Sequence, residues 1–260
     1  MDYQYLKLEK QDFIATVTVS REKAMNALNP DVLKELTRCF QGLSEDREVR
    51  CVILTGAGEK AFVAGADIAA MSTMTPDQAA EFGRLGHEAM SCVENCKHPV
   101  IAAVNGFCLG GGLELALSCD FIYASERAKI GLPEVGLGLF PGWGGTQRLT
   151  RLLGKNRAKE VILTGRVFSV PEALAFGIVN RLCKPEELLN EARATAAEIS
   201  KKGPQAVSLA KRLINDACNT TLEAGLANER KTFPECFKTE DLQEGLAAFL
   251  EKRPAQFKGK

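Results

Sequence analysis

The stretch AVNGFCLGGGLELALSCD, residues 103–120, joins two features that local propensity disfavours. Three successive glycines, Gly110 to Gly112, give up their side chains where a helix or strand would use them. Two residues on, Glu114 stands in an apolar run, and a carboxylate is costly to bury unless it is paired or used. Breaks in local rules gather at functional sites. Just upstream, PVIAAV at 99–104 is a short apolar run closed by Asn105-Gly106, which predicts a buried strand. Downstream, Phe121 to Ala124 predicts another. Between them Leu113 to Ser118 forms a short apolar helix. A similar strand–turn–helix unit follows CVILT at 51–55, so the chain reads as α/β.

The remaining elements extend this pattern. Tyr3 to Leu8 and Ile14 to Val19 alternate and predict a hairpin turning at Lys10–Asp12. Asn29-Pro30-Asp31 opens a helix carrying Val32, Leu33, Leu36 and Phe40 at helical spacing. Pro76 to Val93 is helical in pattern, and Gly131 to Gly145 is a long loop punctuated by glycine. Helices are expected at 144–153, 156–163, 170–176 and 186–201, then three more from Pro204 to Glu251. The last thirty residues read as helical and amphipathic, with Phe233, Phe237, Leu242, Leu246 and Phe249. The expected division is a catalytic core at 1–200 and a helical region at 201–260.

Composition narrows the function. Lys+Arg and Asp+Glu number 33 each in 260 residues, so no net charge favours nucleic acid or an anionic membrane. No apolar run is long enough to span a bilayer, and the polar N-terminus MDYQYLKLEKQD has no signal-peptide core. Nine cysteines without C-x-x-C pairs suit a reducing interior, and a cytoplasmic location is expected. Cys92 and Cys96 share a helical face, where packing is the simpler reading than metal binding. Phosphate-loop, dinucleotide and nucleophile-elbow motifs are missing. With only His87 and His98, a histidine triad or metal cluster is not expected.

Carboxylates and backbone remain. If Gly111 and Gly112 open a helix, their N–H groups lack intrahelical acceptors and can meet a developing oxyanion. The simpler alternative is a tight strand-to-helix turn. A second small-residue loop, AFVAGADI at 61–68, could supply another N–H. Glu134, in IGLPEVGLGLF, is a second carboxylate among apolar residues, or else a first-turn helix carboxylate. Two such groups suit general acid–base work, because burial raises a carboxyl pKa and a like charge raises it further. Their separation along the chain does not show that they meet.

With REKAMNALN (21–29), AFVAGADI, PVIAAVNGFCLGGGLELALSCD (99–120), PEVGLGLFPGWGGTQRL (133–149) and the tail TEDLQEGLAAFLEKRPAQFKGK (239–260), the chain resembles the crotonase (enoyl-CoA hydratase/isomerase) superfamily. The resemblance spans nearly the whole sequence and is nearest to short-chain enoyl-CoA hydratases. It implies a spiral of ββα units with a C-terminal helical trimerisation region, and a homotrimer or homohexamer. It implies a lyase adding water to a 2-enoyl-CoA, as in fatty-acid β-oxidation, with coenzyme A as part of the substrate and no cofactor or metal. An enoyl-CoA isomerase or another acyl-CoA reaction of the superfamily is the alternative. By resemblance, Ala66 and Gly111 form the oxyanion hole, Glu114 and Glu134 are catalytic, and Ala24, Ala64, Asp67 and Ile68 contact the CoA moiety. Ala69 replaces a lysine common in the family, which points to another phosphate contact such as the lysine-rich tail. Trp143 stands where a smaller residue or Phe is common, and is expected to shorten the acyl pocket.

Overall fold

The computed structural model describes residues 3–260. Its first hairpin joins β1 (Leu6–Gln11) to β2 (Ile14–Val19), and Gln11 pairs with Ile14. The turn is therefore Asp12-Phe13, both at positive φ (52° and 64°), as a tight two-residue hairpin requires. This moves the expected first strand three residues along the chain. Phe13 tolerates the left-handed backbone with its ring outside, under the Arg50 guanidinium at 4.2 Å.

Helix α1 (Pro30–Ser44) begins as expected: the Asn29 side chain accepts from the Val32 N–H at 2.9 Å, with proline in the first turn. Strand β3 (Cys51–Gly56) leads into β4 (Ala61–Val63), a one-turn helix α2 (Ile68–Met71) and α3 (Pro76–Glu94). The next unit is β5 (Val100–Val104), β6 (Phe107–Leu109) and α4 (Gly111–Leu117). Then come β7 (Phe121–Ser125), β8 (Lys129–Gly131), a 3₁₀ turn at Glu134–Leu137, α5 (Gly145–Leu153) and α6 (Lys155–Thr164). β9 (Val167–Ser169), α7 (Val170–Phe176), β10 (Arg181–Cys183) and α8 (Leu188–Ser200) complete this part.

After the hairpin, the pairs β3/β4, β5/β6, β7/β8 and β10/β9 each place one strand in each of two sheets. The larger sheet runs β1-β2-β3-β5-β7-β10 and the smaller β4-β6-β8-β9. This is the spiral of ββα units implied by the resemblance. β3 and β5 are buried at every position, as expected of parallel strands covered on both faces. The smaller sheet has three-residue strands, too short to show a period, so the sequence pattern misses it.

The C-terminal part holds α9 (Pro204–Ala217), α10 (Leu222–Thr232), a 3₁₀ stretch at Phe233–Lys238 and α11 (Glu240–Leu250). The expected boundary falls between α8 and α9, yet α9 is tied to the core. Lys211 Nζ donates to Asp120 Oδ2 at 2.8 Å and to the His98 carbonyl at 3.1 Å. Residues 251–260 are not helical, correcting the expected helical tail. Pro254 interrupts them, and their backbone is captured by side chains instead: Lys258 and Gly259 N–H groups donate to the Asp241 carboxylate.

Candidate active site

The site begins where β6 turns into α4. Gly110, the helix cap, has φ 52° and ψ −125°, a conformation that favours glycine. Its carbonyl accepts from the Leu113 and Glu114 N–H groups, and its own N–H donates to the Gly131 carbonyl in β8. Gly111 is the first helical residue, so its N–H has no intrahelical acceptor. A Cβ on Gly112 would overlap the Val63 carbonyl, so the glycines also let α4 lie directly on β4. The turn and site readings of the glycine run are therefore compatible.

The loop after β4 comes to the same place. Leu28 N–H donates to the Gly65 carbonyl and Asp67 N–H to the Leu28 carbonyl, both at 2.9 Å. In such a parallel bridge the intervening residue, Ala66, turns its own N–H to the opposite side. That nitrogen lies 3.4 Å from the position a Cβ on Gly111 would occupy. Ala66 and Gly111 are thus adjacent, although 45 residues apart in the chain.

The two carboxylates flank these residues. Glu114 is 2% exposed, and its Oε1 accepts from the Trp143 and Gly145 N–H groups at 2.7 and 2.8 Å. Burial pushes its carboxyl pKa up; the two amides and the Arg148 charge oppose that. Glu134 opens the 3₁₀ turn after β8, and its Oε1 is 3.0 Å from where a Cβ on Gly110 would stand. Its Oε2 is buried without a hydrogen-bond partner among the described residues. Burial chiefly raises this carboxyl to about 7; its own backbone N–H lowers it, and the Glu114 charge adds a further rise. The structure so brings together the two carboxylates that spacing alone left apart.

Trp143 is buried between α3 and α4. Its ring meets Phe82 edge-on at 5.0 Å, and it fills the space where Gly86 and Gly111 carry no side chain. Ala24 and Ala64 lie on neighbouring segments, because Met25 O accepts from the Ala64 N–H at 3.1 Å. Asp67 caps α2 through the Ala70 N–H and pairs with Arg21 at 3.1 Å, while Ile68 is 54% exposed beside it. Lys258 and Lys260 of the tail line a cleft with Asp46, Lys97, His98 and Gln205, none of which belongs to these loops.

Sequence reasoning missed the residues that hold the loops in place. Asn26 is buried at φ 57° and donates to the Ala57 and Ala61 carbonyls, fixing the entry to β4. Arg148 ties the carbonyl of Trp143 to Glu94. Asn26 lies inside the quoted REKAMNALN segment and Arg148 inside the PEVGLGLFPGWGGTQRL loop, where a polar residue in a motif without an assigned role was the available signal. His87 is exposed on α3, burial lowers the His98 pKa, and no cluster of three metal-ligating side chains occurs among the described residues.

Comparison with known proteins shows what the chain is similar to. The family model described as enoyl-CoA hydratase/isomerase matches residues 9–260. A crotonyl-CoA hydratase of Syntrophomonas wolfei is 47% identical over 257 residues, covering 99% of both chains. A short-chain-enoyl-CoA hydratase of Clostridium acetobutylicum is 48% identical over 253 residues, covering 97% of both. Among solved structures, an enoyl-CoA hydratase from Bacillus anthracis superposes with a TM-score of 0.96 at 41% identity, covering 99% of this chain and 100% of that one.

Proposed function

The chain belongs to the enoyl-CoA hydratase/isomerase family, and on that premise we propose that it catalyses reversible syn hydration of 2-enoyl-CoA thioesters to 3-hydroxyacyl-CoA. The observation that carries this reading is the pair of carboxylates flanking the adjacent Ala66 and Gly111.

The thioester carbonyl oxygen accepts from the Ala66 and Gly111 N–H groups. As water adds at C3, the thioester gains enolate character and charge grows on that oxygen. One fixed donor in such a position typically contributes about 2.7–4 kcal/mol. Glu114, whose Oε1 accepts from two amides, takes a proton from the attacking water. Glu134, raised to about 7, carries the proton delivered to C2. The proton gained by Glu114 and the one lost by Glu134 balance through water before the next turnover. No electrons change hands, and the only coenzyme in the reading is the CoA of the substrate.

The CoA moiety runs along the Ala24, Ala64, Asp67 and Ile68 edge. Trp143 closes the interior beside Gly111 and favours short acyl chains such as crotonyl; the names crotonyl-CoA hydratase and short-chain-enoyl-CoA hydratase borne by two relatives support a short-chain substrate. The chain acts as a homotrimer or a homohexamer, through apolar residues left open on α11 and the stretch before it. Nine free cysteines fit a reducing, cytoplasmic setting and acyl-CoA β-oxidation there.

The test is loss of the conjugated-thioester absorbance of crotonyl-CoA with wild type, Glu114→Gln and Glu134→Gln. Rapid hydration by wild type and a loss of about 10²–10⁴-fold in each variant are expected. A Glu114→Gln enzyme that stays active points to isomerisation or another acyl-CoA reaction. A preference for long chains overturns the role given to Trp143.

A further inference from the structure

Arg148 lies outside both carboxylates and both oxyanion loops, yet it joins the segment that holds Glu114 to helix α3. Its Nη1 donates to the Trp143 carbonyl at 3.0 Å. Its Nε and Nη2 donate to the two oxygens of Glu94 at 3.2 and 2.7 Å, a fork that fixes the guanidinium plane. Gly144 at φ 110° leaves the space that Nη1 occupies, since a Cβ there would overlap it. Arg148 itself rides on α5, whose first residue, Gly145, supplies one of the two N–H groups on Glu114. Trp143 supplies the other. Glu94, at the end of α3, is bridged onward: its carbonyl accepts from Asn215 Nδ2 of α9 at 3.2 Å.

We propose that Arg148 is a positioning residue for Glu114: clamped by Glu94, it sets the Trp143–Gly145 backbone whose two N–H groups orient and hold the ionised carboxylate. This rests on the reading of Glu114 as the group that receives the proton from water. The guanidinium acts twice. It orders the loop through the Trp143 carbonyl, and its charge favours the carboxylate form of Glu114. Glu134, from the turn after β8, feels the Glu114 charge; Glu94, from α3, is engaged by the guanidinium. Displacing a catalytic group by about 1 Å costs on the order of 10²-fold in rate.

The experiment compares Arg148→Met, Arg148→Lys, Glu94→Gln and the Arg148→Met/Glu94→Gln double variant with wild type and with Glu114→Gln. kcat and KM for crotonyl-CoA hydration are measured across pH, and the Glu114 carboxyl is titrated by carbon-13 NMR in folded protein. Arg148→Met is expected to lower kcat about 10–100-fold with KM little changed, and to move the acid limb and the Glu114 titration upward. Arg148→Lys, which keeps the charge but loses the fork, should keep the acid limb while kcat falls less. Glu94→Gln should shift kcat in the same direction, less than additively with Arg148→Met. If Arg148→Met fails to fold, Arg148→Lys and Glu94→Gln carry the test. Folded variants with wild-type kcat, acid limb and Glu114 titration overturn the inference, even if their Tm is lower. If Glu114→Gln itself stays active, the hydratase reading fails instead, and the two failures are told apart by that variant.

Discussion

Glu134 is the residue whose environment is easiest to turn into a measurement. Burial, more than the neighbouring Glu114 charge, raises its carboxyl from 4.5 to about 7. Between those values the folded chain binds a proton that the unfolded chain has released, so stability declines as pH rises through that window. Glu134→Gln removes this loss. Its stability should match wild type near pH 4.5 and exceed it above about pH 7.5 by roughly 1–2 kcal/mol once solvent screening of a partly open group is allowed for, read as a higher Tm. A Tm difference that stays constant across the range counts against the assignment. In the hydration direction the same proton predicts that kcat/KM falls as pH rises past about 7. Glu114 and Glu134 were both legible in sequence, because a carboxylate in an apolar run stands out. The groups that tune Glu114 were not: the Trp143 and Gly145 donors are main-chain N–H groups, which every residue except proline carries alike.

At the scale of elements, the start of α4 concentrates the constraints. Gly110 meets a positive φ, and Gly112 meets the Val63 carbonyl, which as backbone has no rotamer to yield. Gly112→Ala should therefore push α4 away from β4 and cost about 1–3 kcal/mol, with activity falling as Gly111 moves from Ala66. Gly83 is the control. It lies inside α3, where an added methyl meets nothing within 4 Å. Gly83→Ala should stabilise the protein by about 0.5–1 kcal/mol, since glycine costs entropy in a helix interior. Urea denaturation of both variants checks the contrast; similar effects at the two positions count against this account. Asn29 shows why a helix start can be read from sequence: a side-chain cap acts within three residues, so its signal is local. The 3₁₀ turn carrying Glu134 and the strands of the smaller sheet offer no such local mark.

The whole molecule is closed at its C-terminal end by backbone capture. Arg50 donates to the Ser200 and Phe257 carbonyls, and Asp241 accepts from Lys258 and Gly259. This fixes the tail against the core, while Phe249 and Leu250 on α11 remain 82% and 80% exposed. Phe233 and Phe237 are exposed on the preceding stretch and meet edge-on at 5.4 Å between ring centroids. A set of large apolar side chains this open is a candidate interface. In sedimentation velocity the wild type should run as a trimer or hexamer, and Phe249→Asp with Leu250→Asp should yield smaller species. A wild-type monomer at micromolar concentration contradicts the oligomer proposal.

By itself the sequence determined the class of the fold and singled out the residues proposed to carry the chemistry. Apolar runs such as 51–55 and 99–104, the cap at Asn29, and the glycines before Glu114 are all short-range signals. Only the tertiary structure decided that Glu134 reaches Gly110, that Ala66 lies beside Gly111, and that Trp143 fills the space above two glycines. Those contacts join segments tens of residues apart. Alignment of two sheets through successive ββα units sets them, and neither periodicity nor propensity encodes a distance across sheets.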